Sequence, residues 1–298
     1  MYQVKAPENK ADFKRYYQFR WQWLRAPWQQ PIGSEIDDLE NQAIHRFIEN
    51  EQGQIIAVGR LHKTSQNQAQ IRYMAVDEQY QGQGLGKLVI QSLEQEAVKH
   101  GVTQITLNAR EVALVFYQRL GYQLAEKSHV LYGEIQHFLM TKSLNTLDDN
   151  KTLLSQALTC TWHNTIPMSA AMNMKVNYFN GEQLFTSSDL AFNKNLHNTM
   201  FAGSIYTQAT LTGWGWVYFL LAENKLEGDI VLANAEIKYL APVAGAGVGF
   251  TNVALTEGDI TTLSQKGKAR IRVEVHILSG DKVAAKFIGQ YAVIAAKD

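Results

Sequence analysis

Asn193-Lys194-Asn195-Leu196-His197-Asn198-Thr199-Met200-Phe201-Ala202-Gly203-Ser204 runs into a stretch in which, from Leu196 to Ala222, no Asp, Glu, Lys or Arg occurs. A polar amide loop feeding the start of a helix is a ready site for a carbonyl oxygen. The first helical turn presents unpaired N–H groups and the positive end of the helix dipole. Asn195 adds a side-chain amide that donates without titrating. Such donors, aimed at a thioester oxygen, stabilise charge developing there as an oxyanion or enolate. Asparagines also form turns and caps, which is the plainer role open to Asn193, Asn195 and Asn198.

The uncharged stretch is long enough to raise the question of a membrane span. It is broken by Asn198, Thr199, Ser204, Thr207, Gln208, Thr210 and Thr212 and by Gly203, Gly213 and Gly215, and no strongly basic flank follows. A helix apolar on all sides and wrapped by a sheet accounts for it better, so no membrane span is expected. Strands with β-branched alternation follow at Ile230–Leu240, Val248–Leu255, Ala269–Leu278 and Lys282–Ala295, the last two joined by the hairpin signal Ser279-Gly280-Asp281. Before the helix, Leu153–Thr165 reads as a helix stopping at Pro167, and Met174–Phe179 and Gln183–Leu190 read as strands.

Upstream, the polar run from Ser143 to Thr152 marks a linker. The expected division is residues 1–142, a linker 143–152 and residues 153–298. In the first part Phe13–Leu24 has helical periodicity, and Gln54–His62 and Gln68–Val76 look like a strand pair. Gln81-Gly82-Gln83-Gly84-Leu85-Gly86 opens a helix to about His100, followed by a strand Val102–Asn108 and a helix Glu111–Leu120. Glycines there let a pyrophosphate approach the backbone, with the free N–H groups of the first turn as donors. A dinucleotide fold would need an acidic residue on the next strand, and Val102–Asn108 offers none.

The chain of 298 residues carries a formal net charge of zero, so bulk electrostatics do not suggest nucleic acid. The single cysteine, Cys160, rules out an intrachain disulfide, reads as a small buried apolar residue and fits a reducing cytoplasm. Met1 to Lys14 lacks the apolar core of a signal peptide. The expected compartment is the cytoplasm, and no metal site is expected.

Gln81-x-x-Gly84-x-Gly86, preceded by Arg72-Tyr73-Met74-Ala75-Val76 and followed by Asn108-Ala109-Arg110 and Phe116-Tyr117-Gln118-Arg119-Leu120-Gly121-Tyr122, resembles the GNAT family of N-acetyltransferases. The resemblance implies acetyl-CoA in a splayed sheet, its pyrophosphate on Gln81, Gly82, Gln83, Gly84 and Gly86. It implies backbone contacts from Val76 to the pantetheine arm, and Tyr117 as general acid for the leaving thiolate. The acceptor is not readable; Glu78 and His62 are the guesses for a base.

Asn195-x-x-Asn198-Thr199-x-Phe201-Ala202-Gly203 resembles the Asn-x-x-Gly-x-x-His-Gly-Gly segment of hotdog thioesterases, with Phe201 in place of the His and Ala202 of the first paired glycine. Thr210 falls where one thioesterase group carries its Asp. A hydrolase needs a base or nucleophile to activate water, and none is offered. A triad of Ser204, His197 and Asp189 lacks an oriented geometry.

With Ile166-Pro167-Met168, the asparagine loop, Thr212-Gly213-Trp214-Gly215 and Ala235-Glu236-Ile237-Lys238-Tyr239-Leu240-Ala241-Pro242-Val243, nearly the whole chain resembles a two-domain family that joins a GNAT domain to a hotdog, thioesterase-like domain and is associated with decarboxylation of malonyl-acyl carrier protein. The implied class is α+β: an N-terminal GNAT acyl-CoA N-acyltransferase fold and a C-terminal hotdog domain whose central helix is wrapped by an antiparallel sheet. The implied reaction yields acetyl-acyl carrier protein for initiating fatty-acid synthesis, with a loop asparagine critical; Asn195 takes that role, Asn193 is second, and Thr210 is a further candidate. Loss of carbon dioxide leaves an enolate, which needs oxyanion donors and no water-activating base. Phe192, Phe201 and Trp214 could wall an apolar pocket. Lys268, Arg270 and Arg272 share a strand face that could meet the acidic carrier. The resemblance also implies a homodimer through the hotdog half. Two alternatives stand: an acyl-CoA or acyl-carrier thioesterase, and an N-acetyltransferase whose hotdog half only dimerises.

Overall fold

Each half of the chain builds its own sheet and core, which divides it into two units, Met1–Thr146 and Leu147–Asp298. The computed structural model describes residues 2–144 and 149–295. Residues 145–148, the middle of the expected linker, lie outside the described residues, and regular structure enters that linker from both sides.

The first unit runs β1 (Val4–Lys5), α1 (Lys10–Leu24), β2 (Ile44–Glu49), β3 (Ile55–Lys63), β4 (Gln68–Val76), α2 (Leu85–Lys99), β5 (Gln104–Arg110), α3 (Leu114–Arg119), β6 (Gln123–Leu131) and β7 (Ile135–Ser143). Asn9 caps α1, its Oδ1 accepting from the N–H groups of Ala11 and Asp12. Gly101 and Gly121 follow α2 and α3 with φ of 71° and 89°, the left-handed ending that glycine adopts most easily. The sheet order is β1-β2-β3-β4-β5-β7-β6. Val89, Ile90 and Leu93 of α2 are fully buried with Ile56, Ile105 and Leu107 of the sheet. Gly59 of β3 is required by that packing: a Cβ there would lie 2.6 Å from a Val89 methyl.

β4 and β5 run parallel, paired only from Gln68↔Gln104 to Ile71↔Leu107. Beyond that point β4 stays on β3, ending at Val76↔Ala57, while β5 stays on β7 to Arg110↔His137. The sheet therefore splits between Arg72–Val76 and Asn108–Arg110, which is the splay of the GNAT acyltransferase fold. A bulge reinforces it: the β3–β4 register shifts between Val58 and Arg60, where Tyr73 takes a φ of 55°.

The second unit runs α4 (Asp149–Thr165), α5 (Pro167–Ala171), β8 (Lys175–Phe179), β9 (Gln183–Ser187), α6 (Leu190–Asn193), α7 (Ala202–Glu223), β10 (Gly228–Tyr239), β11 (Val248–Asn252), β12 (Thr256–Glu257), α8 (Thr262–Lys266), β13 (Lys268–Ser279) and β14 (Lys282–Ala295). The antiparallel sheet has the order β10-β14-β13-β11-β9-β8, with β12 on β13. It wraps α7 without closing into a barrel: a hotdog-like arrangement. Trp216, Val217 and Phe219 of α7 are buried among Phe179, Phe287 and Tyr291. Buried polar groups on α7 are partnered: Gln208 accepts from Ser188 Oγ (2.8 Å) and donates to the Gly247 carbonyl (2.8 Å), and Thr212 meets Thr186 at 2.7 Å. These bonds pin helix to sheet. No helix among the described residues is long and apolar enough to cross a membrane.

Three local expectations change. Cys160 is exposed, because it sits on the face of α4 away from buried Leu158 and Trp162. Pro167 does not merely stop a helix; it occupies the first turn of α5, where its missing N–H costs nothing. The central helix begins at Ala202, since Lys194 and Met200 form a β-bridge that holds the asparagine loop out of helical conformation.

Candidate functional site

Each unit carries its own candidate site. In the first, the splay opens a cleft of about 460 Å³ lined by Val76, Gln81, Asn108, Arg110 and Tyr117 among others. The glycine turn prepares one end. Gly82 and Gly84 have φ of 77° and 82°. The first α2 bond runs from the Leu88 N–H to the Gly84 carbonyl, so the N–H groups of Leu85, Gly86 and Lys87 have no intrahelical acceptor, and no side chain caps them. Gly86 is tight: a Cβ would lie 3.1 Å from Phe116 and 3.5 Å from Val76. Gln81 Nε2 donates to the Val76 carbonyl at 3.4 Å, and Gln83 Oε1 accepts from the Tyr2 hydroxyl at 3.2 Å.

Tyr117 is buried on α3, edge-on to Phe116 and Tyr122, and burial pushes its phenol well above the usual tyrosine range, against the pull of Arg110. It therefore holds its proton at neutral pH, as a donor to a thiolate must. Asn108 presents a buried Oδ1 with no hydrogen-bond partner among the described residues, an acceptor facing no donor.

Of the guessed bases, Glu78 lines the cleft but His62 does not; His62 is buried with its Nδ1 3.5 Å from Arg60. His137 and His129, not expected from the sequence, also line the cleft with their rings stacked 4.8 Å apart. The Ile135 carbonyl 3.0 Å from His137 Nδ1 can only accept, so Nδ1 carries the proton and the neutral ring keeps a lone pair on Nε2. Burial first, then the charges of His129 and Arg110, lower the proton affinity of His137 despite the Ile135 bond. No motif marked these two residues, because strand pairing assembles them: β6 on β7 stacks the two rings, and β5 on β7 sets His137 opposite Arg110.

In the second unit the loop 193–201 precedes α7. Asn193 is buried and spends both amide hydrogens inside the protein, on the Met172 (2.9 Å) and Asp189 (2.7 Å) carbonyls, while its Oδ1 is unpartnered among the described residues. It acts here as a pin. Asn195 is half-buried: Oδ1 accepts from the His197 N–H (2.8 Å) and the Thr199 N–H (3.3 Å), and Nδ2 donates to Thr199 Oγ1 (3.1 Å). One Nδ2 hydrogen remains available. The first α7 bond runs from Ile205 N–H to Phe201 O, leaving the N–H groups of Ala202, Gly203 and Ser204 free as well. The Phe201 ring lies on Gly203, where a Cβ would come within 3.1 Å of it.

Thr210 lies eight residues beyond Ala202, about 12 Å along the helix. Its Oγ1 is buried without a partner among the described residues, and its carbonyl accepts from the Tyr291 hydroxyl at 2.8 Å. No hydrogen bond joins it to Asn195, and none links Ser204, His197 and Asp189. Phe192 and Phe201 are largely exposed; Trp214 is part-buried and donates to the Ile230 carbonyl at 3.1 Å. Lys268 and Arg270 are exposed, whereas Arg272 pairs with Glu257 at 2.7 Å. No cluster of three His, Cys, Asp or Glu able to hold a metal occurs among the described residues.

The family model described as "Acetyltransferase (GNAT) family" matches residues 12–122, and the one described as "Putative thioesterase (yiiD_Cterm)" matches residues 155–295. The "Uncharacterized protein YyaT" of Bacillus subtilis is 32% identical over 111 residues, 37% of this chain and 73% of that protein. The "Uncharacterized N-acetyltransferase YjcF" of the same organism is 27% identical over 112 residues, 38% of this chain and 79% of that protein. A solved "putative thioesterase from Shewanella oneidensis" is 41% identical, covering 48% of this chain and 99% of its own, with a TM-score of 0.46. Each is similar to one half of the chain.

Proposed function

Because the chain belongs to the GNAT acetyltransferase family in its first half and to the yiiD C-terminal thioesterase-like family in its second, we propose that it is an acyl-thioester enzyme with two chemistries. The second half decarboxylates malonyl-acyl carrier protein to acetyl-acyl carrier protein, a thioester that can start fatty-acid synthesis. The first half binds acetyl-CoA and transfers its acetyl group to an amine.

One observation carries the decarboxylase reading: free donors at Asn195 and at the start of α7 stand in a stretch, Leu196 to Ala222, that holds no carboxylate, and Thr210 within it is a buried hydroxyl. The bond between the carboxylate carbon and the α-carbon breaks, carbon dioxide leaves, and the electron pair becomes an enolate. Asn195 Nδ2 and the α7 N–H groups hold its oxygen until the α-carbon takes a proton from solvent. Hydrolysis would need an activated water; the stretch Leu196–Ala222 has no carboxylate, and exposed His197 has no hydrogen bond to Ser204 or Asp189 that would orient it as a base. Exposed Phe192, Leu196, Phe201, Tyr239 and Leu240 flank the loop and form an apolar surface that a second copy would cover. The carrier's acidic surface would meet Lys268 and Arg270.

In the first half, pyrophosphate binds the α2 start and the pantetheine arm lies along Val76. The amine nitrogen attacks the thioester carbon, passing its proton to His137 Nε2, as the carbon–sulfur bond breaks and Tyr117 protonates the thiolate.

Incubating the full chain with malonyl-acyl carrier protein and weighing the product tests the first reading. An acetyl thioester is expected; free carrier thiol and free acid would replace it with a thioesterase. An unchanged carrier beside measurable acetyl transfer would leave an N-acetyltransferase with a dimerising module.

A further inference from the structure

The cleft wall of the first unit holds a charge with no counterpart. Of its guanidinium groups, Arg72 pairs with Asp37 at 3.1 Å, and Arg25 Nε donates to the Ser34 carbonyl at 2.9 Å. Arg110 has neither a carboxylate nor a hydrogen-bond acceptor among the described residues; its guanidinium lies over the face of Trp28, 6.0 Å from the ring centre. It is half-buried, and burial followed by the charge of Arg25 lowers its hold on its proton. A guanidinium does not give that proton up, so the cost stays until an anion arrives.

Strand register sets two further polar groups beside this guanidinium. Asn108 and Arg110 are two residues apart on β5 and so share a face, their Cα atoms about 6–7 Å apart. His137 lies directly opposite Arg110 on β7 and projects to the same face. One face of the splay thus carries an unpartnered buried amide oxygen, an imidazole with a free Nε2, and an unpaired guanidinium.

We propose that the acceptor acetylated by the first unit is a small amino acid, its amine at Asn108 and His137 and its carboxylate on Arg110. The guanidinium fork matches a carboxylate in two parallel hydrogen bonds. The separation along β5 suits an amine and a carboxylate a few bonds apart. Polyamines meet Arg25, Arg72 and Arg110 and are repelled. The glycine turn that takes the pyrophosphate lies at the end of β4, so the phosphates of CoA do not need Arg110. The inference rests on the acetyltransferase reading of this cleft.

The test measures CoA release by the full chain from acetyl-CoA with glycine, β-alanine and γ-aminobutyrate, each beside its carboxamide, and with putrescine. The amino acids are expected to exceed their carboxamides in kcat/KM by at least about tenfold, and Arg110→Met to abolish that gap while Arg110→Lys retains part of it. Equal use of carboxamides or of putrescine overturns the proposal, and this comparison needs no variant to fold. If amino acids and carboxamides react alike while Arg110→Met removes a preference for succinyl-CoA over acetyl-CoA, the anion belongs to the acyl group and the acceptor assignment is wrong. If no amine is acetylated, the acetyltransferase reading fails; titration with β-alanine, followed by Trp fluorescence in the wild type and Arg110→Met, then decides the site. Binding lost in Arg110→Met sustains the anion site, and no binding in either overturns it.

Discussion

Asn195 shows how one side chain can hold a loop and offer a donor at once. Its Oδ1 gathers the N–H groups of His197 and Thr199, while Nδ2 spends one hydrogen on Thr199 and keeps another. Two substitutions separate these roles. Asn195→Asp keeps the accepting oxygen and removes the donor; decarboxylation should fall at least about tenfold while the melting temperature holds. Asn195→Ala should lose as much activity and about 1 kcal/mol of stability besides, the worth of a cap. Full activity in either variant would remove Asn195 from the site. Asn193→Ala should instead act on stability, because its hydrogens tie α6 to the Met172 carbonyl; a loss confined to rate would reverse that assignment. If His137 is the base of the proposed acetyl transfer, burial, which favours its neutral form, sets the acid limit of the rate. The ring's proton affinity lies below that of a free histidine, so the midpoint of the acid limb of kcat/KM should fall below the free value of about 6.5. A midpoint at or above about 6.5 would point to another base.

The elements that were legible in the sequence are those whose period is uninterrupted, such as α1, α2, β3 and β14. β2 was hidden because His45 and Arg46 interrupt its apolar run. The structure buries both, Arg46 against Glu96 at 3.2 Å, and a sequence cannot announce that pairing. β6 was hidden for the opposite reason: as an edge strand with two register shifts it exposes nearly every residue and shows no alternation. Glycines inside elements carry packing. Gly215 of α7 lies where a Cβ would be 2.8 Å from Trp162 and 2.9 Å from Leu158. Gly215→Ala should force α4 away and cost about 1–3 kcal/mol, read by thermal or urea unfolding. Gly84→Ala meets open space but a positive φ, so its cost should be about 1 kcal/mol, with weaker CoA binding as the helix start shifts.

At the scale of the whole chain, the two units have separate cores and separate sites. A Tyr117→Phe chain should lose acetyl transfer and decarboxylate at the wild-type rate, and Asn195→Asp should do the reverse. Loss of both activities in either variant would show coupling that neither core displays. The glycine turn and the asparagine loop were readable because each is a contiguous motif. The Asn108–Arg110–His137 face was not, because strand pairing assembles it from β5 and β7.

The single cysteine offers a consequence of another kind. Cys160 is exposed on α4 and has no rival thiol in the sequence. A nitroxide attached there marks each copy once, without any substitution. In a symmetric pair of chains the two electron spins report one sharp separation, and in a solitary chain they report none, so the protein arrives with its own molecular ruler.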